Sequence, residues 1–308
     1  MDDNEHGTHC AGTIGGVGNN GVGVAGVNWQ VRMMGVKFLD ANGSGTLDGA
    51  LAAIEYAVAS GAAISNHSWG GYGYSDALYD AIRRALSAGH LLLCAAGNEL
   101  NDNDGEWQSY PASYDLPNIL AVAATDQNDQ LAWFSNYGAT TVDVAAPGVG
   151  ILSTVPGGYD FFNGTSMATP HVAGIAALLK SQYPTATAMD LKEAIMAGVD
   201  TVGALSGMVA TGGRVNVNTA LEVLASRAMI ACFRGNGTDK AGTWLFDLSK
   251  SELGAAVAGL NGGAPQVGRY ALAMVNGVSA ADTADADLAA FVGDSDSDGM
   301  PDWYEVAA

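Results

Sequence analysis

Three short runs carry residue types that could act together on an acyl carbon. His6-Gly7-Thr8-His9-Cys10-Ala11-Gly12-Thr13 places a histidine at the head of a helix built from small residues. Ala95-Ala96-Gly97-Asn98-Glu99 ends an apolar strand in a turn that presents an amide side chain. Gly164-Thr165-Ser166-Met167-Ala168-Thr169-Pro170-His171 sets a serine at the N-terminus of an apolar helix. A serine hydroxyl becomes nucleophilic when a neighbouring base takes its proton, and His6 is of the right type. The helix N-terminus offers free N–H groups and the positive end of a dipole, where a tetrahedral oxyanion would form. Asn98 can give that oxyanion a second hydrogen bond; losing one such donor costs about 10²–10³ in turnover.

Each residue also has a plainer reading. Ser166 taken alone could be a helix cap. His6 and His9 stand three apart and could ligate a metal, but no third ligand follows at the right spacing. His9 and His171 read as packed, hydrogen-bonded histidines. Gly16-Val17-Gly18-Asn19-Asn20-Gly21 fits a dinucleotide fingerprint by letter, yet it follows a helix and reads as a turn. Asn163-Gly164-Thr165 is a glycosylation sequon by letter, where a sugar would block Ser166.

The elements that must position these residues alternate along the chain. Residues 31–37, 62–68, 90–96 and 119–123 read as strands. Residues 47–60 and 75–88 read as helices stopped by Gly61 and Gly89. The strands are continuously apolar, as parallel strands covered on both faces are. This predicts an α/β fold, a doubly wound and mostly parallel sheet with helices on both faces. Residues 164–183 leave almost no polar face and should form a central buried helix, with Pro170 in its first turn. Residues 188–197 form a further helix, capped by Thr187 with Asp190 three residues on.

Together these segments resemble the subtilisin-like serine proteases, the subtilases, over roughly residues 1–225. The resemblance implies that His6 is the catalytic histidine, Ser166 the nucleophile and Asn98 the oxyanion-hole amide of a serine endopeptidase acting on polypeptides. It implies that Ser68-Trp69-Gly70 pairs with substrate backbone and walls the S1 pocket, and that Gly43-Ser44-Gly45 is the second strand flanking an extended peptide. Phe134-Ser135-Asn136-Tyr137-Gly138 and Val144-Ala145-Ala146-Pro147-Gly148 match structural segments of the family. Gly97 and Glu99 flank Asn98. Glu99 reads either as a residue near the S1 base that tolerates a basic P1 side chain or as an ordinary surface glutamate; Trp69 narrows or floors the pocket.

One family residue is absent. Subtilases order their triad Asp, His, Ser, with the aspartate on a strand well upstream. Asp2 and Asp3 stand too near His6 to lie on a separate strand, so the chain reads as N-terminally truncated. Without a carboxylate orienting the imidazole, turnover is expected to fall by about 10⁴, so the fragment should be nearly inactive.

Asp294-Ser295-Asp296-Ser297-Asp298-Gly299, with Asp302 and Glu305, fits the spacing of a calcium-binding loop, because alternate carboxylates converge on a hard cation. Pro301 weakens an EF-hand reading, and the run is more similar to thrombospondin type 3 calcium repeats; a solvated acidic tail is the plain alternative. Family subtilases also bind calcium after the histidine helix, where Asn20 is a candidate. Residues 226–290 show no clear period and read as a small β-rich or irregular appendage or linker before the motif at 291–308.

The bulk composition is consistent with this organisation. Twelve basic against 32 acidic residues give a net charge of −20, which argues against a nucleic-acid partner and suits a secreted or cell-surface protein. Three cysteines, Cys10, Cys94 and Cys232, make no disulfide framework; Cys10 and Cys94 read as small buried hydrophobes. No apolar run is long enough to span a membrane. A monomer is expected, with calcium as a structural ion and no cofactor for catalysis. The competing class is a non-catalytic, calcium-stabilised binding module that keeps the scaffold.

Overall fold

The computed structural model describes residues 2–235, 240–249 and 271–275, with side chains described through residue 225. They fall into two compact units that part between residues 221 and 222.

In the first unit, α1 (His6–Gly15) and α2 (Leu47–Ala59) precede β1 (Ile64–His67), β2 (Gly71–Tyr72), α3 (Asp76–Ser87), β3 (Leu91–Ala95), β4 (Ser109–Tyr110) and β5 (Ile119–Thr125). Then come β6 (Val144–Pro147), β7 (Ile151–Val155), β8 (Gly158–Phe162), α4 (Thr165–Gln182), α5 (Ala188–Ala197), β9 (Asp200–Thr201) and β10 (Gly213–Arg214), and the division between the units falls within α6 (Val217–Ser226). Six strands form one sheet in the order β1-β3-β5-β6-β10-β9, parallel except for the last pair. The register sets Ile64 beside Leu91, Leu92 beside Ile119 and Val122 beside Val144.

Period-two alternation gives each face of this sheet its own core. Leu92, Cys94, Ala96, Ile119, Ala121 and Ala123 join Ile54 of α2 and Leu78, Ile82 and Ala85 of α3. The alternate residues, among them Leu91, Leu93, Leu120 and Val122, are also fully buried and face the other way, where α4 packs across β1, β3, β5 and β6. That double covering is why β3, and β5 up to its last residue Thr125, are apolar throughout. The mainly parallel sheet with helices on both sides is the architecture anticipated from the strand–helix alternation.

Caps fix where the helices begin. Thr46 and Ser75 accept the amide hydrogens of Gly49 and Leu78, and Thr187 with Asp190 forms a full capping box.

Two expectations need correction. Residues 31–37 do not form a strand: they make no ladder with any described strand, and most are exposed. An apolar run becomes a strand only when its backbone groups find a partner. Pro170 is the sixth residue of α4, not a first-turn residue, so it removes an interior helical hydrogen bond.

In the second unit, β11 (Arg227–Gly235), β12 (Lys240–Ser249) and β13 (Ala271–Val275) form an antiparallel sheet in the order β12-β11-β13. The candidate calcium ligands Asp294, Asp296, Asp298, Asp302 and Glu305 lie outside the described residues.

Candidate active site

α1 carries His6 at its first position and lies against α4 and β7. Gly12 permits the approach to β7, since a Cβ there would stand 2.2 Å from Thr154 Oγ1. Polar bonds lock the seam: Ser153 Oγ donates to the His9 carbonyl at 2.7 Å and Thr154 Oγ1 to the Thr8 carbonyl at 2.9 Å. His9 is fully buried, stacks on Phe162 at 4.4 Å, and turns Nε2 toward the carbonyls of Ile151 and Asp160. Two carbonyl neighbours require that nitrogen to be the N–H donor, which makes His9 a structural tie.

The N-terminus of α1 is held by Asp2. Its carboxylate accepts from the amides of Asn4, Glu5 and Thr8 and from Thr8 Oγ1 at 2.6–3.0 Å. Burial works to raise the Asp2 pKa, but these hydrogen bonds outweigh it and hold the carboxyl well below the usual range. Asp2 is thus a helix cap. The His6 pKa is lowered, chiefly by burial and then by the neighbouring His9, with Asp2 pulling weakly the other way. A depressed pKa keeps the imidazole neutral and able to accept a proton at neutral pH.

Ser166 is the second residue of α4, and Asn98 lies in the turn after β3. The Thr165 amide and Thr165 Oγ1 both meet Asn98 Oδ1, at 2.8 and 3.0 Å. A backbone N–H can only donate, so the carbonyl end of the Asn98 side chain is fixed and its NH₂ end is left to donate elsewhere. Among the described residues neither that NH₂ nor the Ser166 N–H finds a protein acceptor.

The turn itself is braced by Asn136, which is fully buried. Its Oδ1 accepts from the amides of Glu99 and Asn101, and its Nδ2 donates to the Ala96 carbonyl and to Glu99 Oε2. Gly97 has φ 115°, and a Cβ there would meet Asn136 Nδ2 at 2.2 Å, so conformation and space both demand glycine.

A cavity of about 280 Å³ opens beside Ser166 and Asn98, walled by Trp69, Gly70, Tyr72, Gly97, Glu99 and Thr165. Trp69, Gly70, Gly97 and Glu99 therefore meet at one place. Glu99 also raises the Tyr72 phenol pKa, after burial, through its charge and a hydrogen bond. Ser68 lies behind the wall, buried and bonded to Ser166. Gly43, Ser44 and Gly45 form no strand. They belong to an exposed turn closed by Asp40, whose carboxylate accepts from the Asn42 and Ser44 amides. An edge whose only partner would be a peptide has nothing to pair with in the free chain.

α1 meets the start of α4 through Cys10. One helical turn on from His6 and on the same face, Cys10 Sγ donates to the Ser166 carbonyl at 3.3 Å. In this resting arrangement Ser166 Oγ hydrogen-bonds the Ser68 carbonyl at 3.2 Å and is not bonded to His6. Cys10 is buried as anticipated, but it is also a hydrogen-bond donor, and burial pushes its thiol up to about 12. The sequence gives no sign of the roles of Thr165 and the Cys10 thiol, and marks Asn136 only as part of a structural segment.

Comparison with known protein families matches residues 1–220 to the Subtilase family. The chain belongs to that family.

Among its subtilase relatives, "Alkaline elastase YaB" of Bacillus sp. (strain YaB) is 48% identical over 185 residues, 60% of this chain and 47% of that protein. "Thermophilic serine proteinase" of Bacillus sp. (strain AK1) is 44% identical over 222 residues, 72% of this chain and 53% of that protein. The chain thus spans about half the length of these curated relatives. A solved structure of a protease from Pseudoalteromonas arctica PAMC 21717 superposes with a TM-score of 0.65 at 33% identity, covering 71% of this chain and 70% of that one.

Proposed function

We propose that this subtilase scaffold serves peptide-bond hydrolysis by a serine endopeptidase mechanism. Neutral His6 takes the proton of Ser166 Oγ as that oxygen attacks the scissile carbonyl, and returns it to the leaving amine. The Ser166 N–H and the Asn98 NH₂ stabilise the oxyanion. The observation that carries this reading is the meeting of Asn98 and Ser166 at one cavity, with the Asn98 amide turned by Thr165 so that its donor end is free. Family membership supports it.

The mechanism also calls for a carboxylate to orient His6, and among the described residues none hydrogen-bonds its ring. Asp2 is a poor candidate, because its oxygens already accept four hydrogen bonds. The aspartate-rich run ending in Glu305 is proposed as a structural calcium site on its spacing alone. Secretion is proposed from the acidic composition, and polypeptides as the substrates.

A fluorophosphonate probe tests the core of this proposal, because it titrates an activated serine without needing full turnover. Ser166 should be labelled, Ser166→Ala should not, and the labelling rate should fall on acidification with a midpoint below 6.5, the ordinary imidazole value. No labelling of the intact chain, or a midpoint insensitive to His6→Gln, overturns it. Adding an upstream segment that bears an aspartate should raise casein hydrolysis by about 10⁴. For the tail, Asp296→Ala with Asp298→Ala should abolish a calcium-binding isotherm in calorimetry.

A further inference from the structure

Pro170 has no N–H, so the carbonyl four residues back, that of Ser166, loses its helical partner. A half-buried carbonyl inside a helix still costs free energy unless another donor reaches it. Two do. Ser68 Oγ donates to it at 2.8 Å and Cys10 Sγ at 3.3 Å. The Ser68 hydroxyl is itself directed, because Asn66 Nδ2 donates to Ser68 Oγ at 2.9 Å, which leaves the hydroxyl proton for Ser166. A second bond closes the pair, with Ser166 Oγ donating back to the Ser68 carbonyl at 3.2 Å. Ser68 and Ser166 are therefore clasped twice across 98 residues of chain, at the end of β1 and the start of α4.

We infer that Ser68, aimed by Asn66, is a positioning residue for the nucleophile: it holds the Ser166 backbone through the carbonyl that Pro170 leaves unpaired, with the Cys10 thiol as a weaker second donor. The clasp fixes where Oγ stands relative to His6 and to the cavity beside Trp69. Displacing a reacting group by about 1 Å can cost on the order of 10² in rate, so a bond to the nucleophile's own peptide unit has leverage on chemistry. The proline is what makes the clasp necessary, since an ordinary residue at 170 would occupy the same acceptor with its own amide. The Cys10 thiol, pushed up to about 12 by burial, keeps its proton and remains a donor at any working pH.

This inference rests on Ser166 being the nucleophile, and the test separates the two ideas. The full chain and its variants are reacted with a fluorophosphonate over a concentration series, giving the maximal labelling rate and the half-saturating concentration separately; thermal unfolding monitors folding. Ser68→Ala should lower the maximal rate about ten- to a hundredfold with little change in half-saturation, and Ser68→Thr, which keeps the hydroxyl, should recover most of it. The diagnostic variant is Pro170→Ala, which supplies an amide N–H to the Ser166 carbonyl. In that background Ser68→Ala should cost at least about threefold less than it does alone, a coupling that loss of fold would not produce. If the intact chain is not labelled at Ser166, the endopeptidase reading fails. If it is labelled and Ser68→Ala leaves the rate unchanged, or its effect is the same with Pro170→Ala, the positioning role is overturned while the endopeptidase reading stands.

Discussion

At the scale of single residues, the site depends on side chains whose polarity is settled by their neighbours. Asn98 is the plainest case. The same amide turned end for end would put an oxygen where an oxyanion must sit, and only the Thr165 amide and hydroxyl forbid it. Thr165→Val removes the hydroxyl while keeping shape. Fluorophosphonate labelling should slow about tenfold, and Asn98→Ala should slow it by about 10²–10³ relative to the native chain; an unaltered rate in both variants would show that Asn98 takes no part in stabilising the oxyanion. His6, Asn98 and Ser166 were legible in the sequence because each stands in a run whose residue types suit one task. The grip of Ser68 on the nucleophile gave no such signal. It depends on a proline far along the chain, and no local pattern connects the two.

Among the elements, β1 carries more polar wiring than its length suggests. His90 Nδ1 faces the Ala62 carbonyl and must donate to it, so His90 Nε2 accepts from Ser65 Oγ. Ser65 Oγ then accepts from His67 Nε2, which gives one directed chain running His67 to Ser65 to His90 to Ala62. The chain needs His90 neutral, because a protonated His90 has no lone pair to accept from Ser65. Burial, then the nearby His90, lowers the His67 pKa from 6.5 to about 3. The unfolded chain therefore takes up a proton below pH 6.5 that the folded chain refuses until about 3, and stability falls as the pH falls through that window. His90 shifts in the same direction, again through burial. Asp143 is raised by burial and has the opposite sign, so the comparison of interest is between the native chain and His67→Gln. Denaturant unfolding from pH 7 to 4 should show a shallower acid loss in the variant; parallel curves would exclude His67 as its source. The strands and helices themselves were largely readable. β3 and β5 are buried throughout and α4 over most of its length, and a continuous apolar run reports that directly. Residues 31–37 misled because they have the composition of a strand, whereas a strand is defined by a partner, and the partner is not encoded in the run itself.

For the whole molecule, the connection between α1 and α2 has a consequence for survival in a proteolytic environment. Residues 16–46 contain no helix or strand, and Val17, Val22, Trp29, Met33 and Met34 stand well exposed along them. Endoproteinases need a segment that can be drawn out into an active site, and backbone free of ladder hydrogen bonds meets that need. The first cuts by an added endoproteinase should therefore fall in residues 16–46, visible as a fragment ending there in mass spectrometry; first cuts within α4 or β5 would contradict this. Such a nick would sever His6 from Ser166 in the covalent chain and yet need not release it. α1 stays bound through the Ser153 and Thr154 hydroxyls, the stacked His9 ring and the Cys10 thiol. The clipped protein should thus run as one species in its native state and as two in denaturant. A sample judged degraded by a denaturing gel could still hold an assembled centre, and self-digestion, where it occurs, would begin with a scar that leaves the chemistry in place.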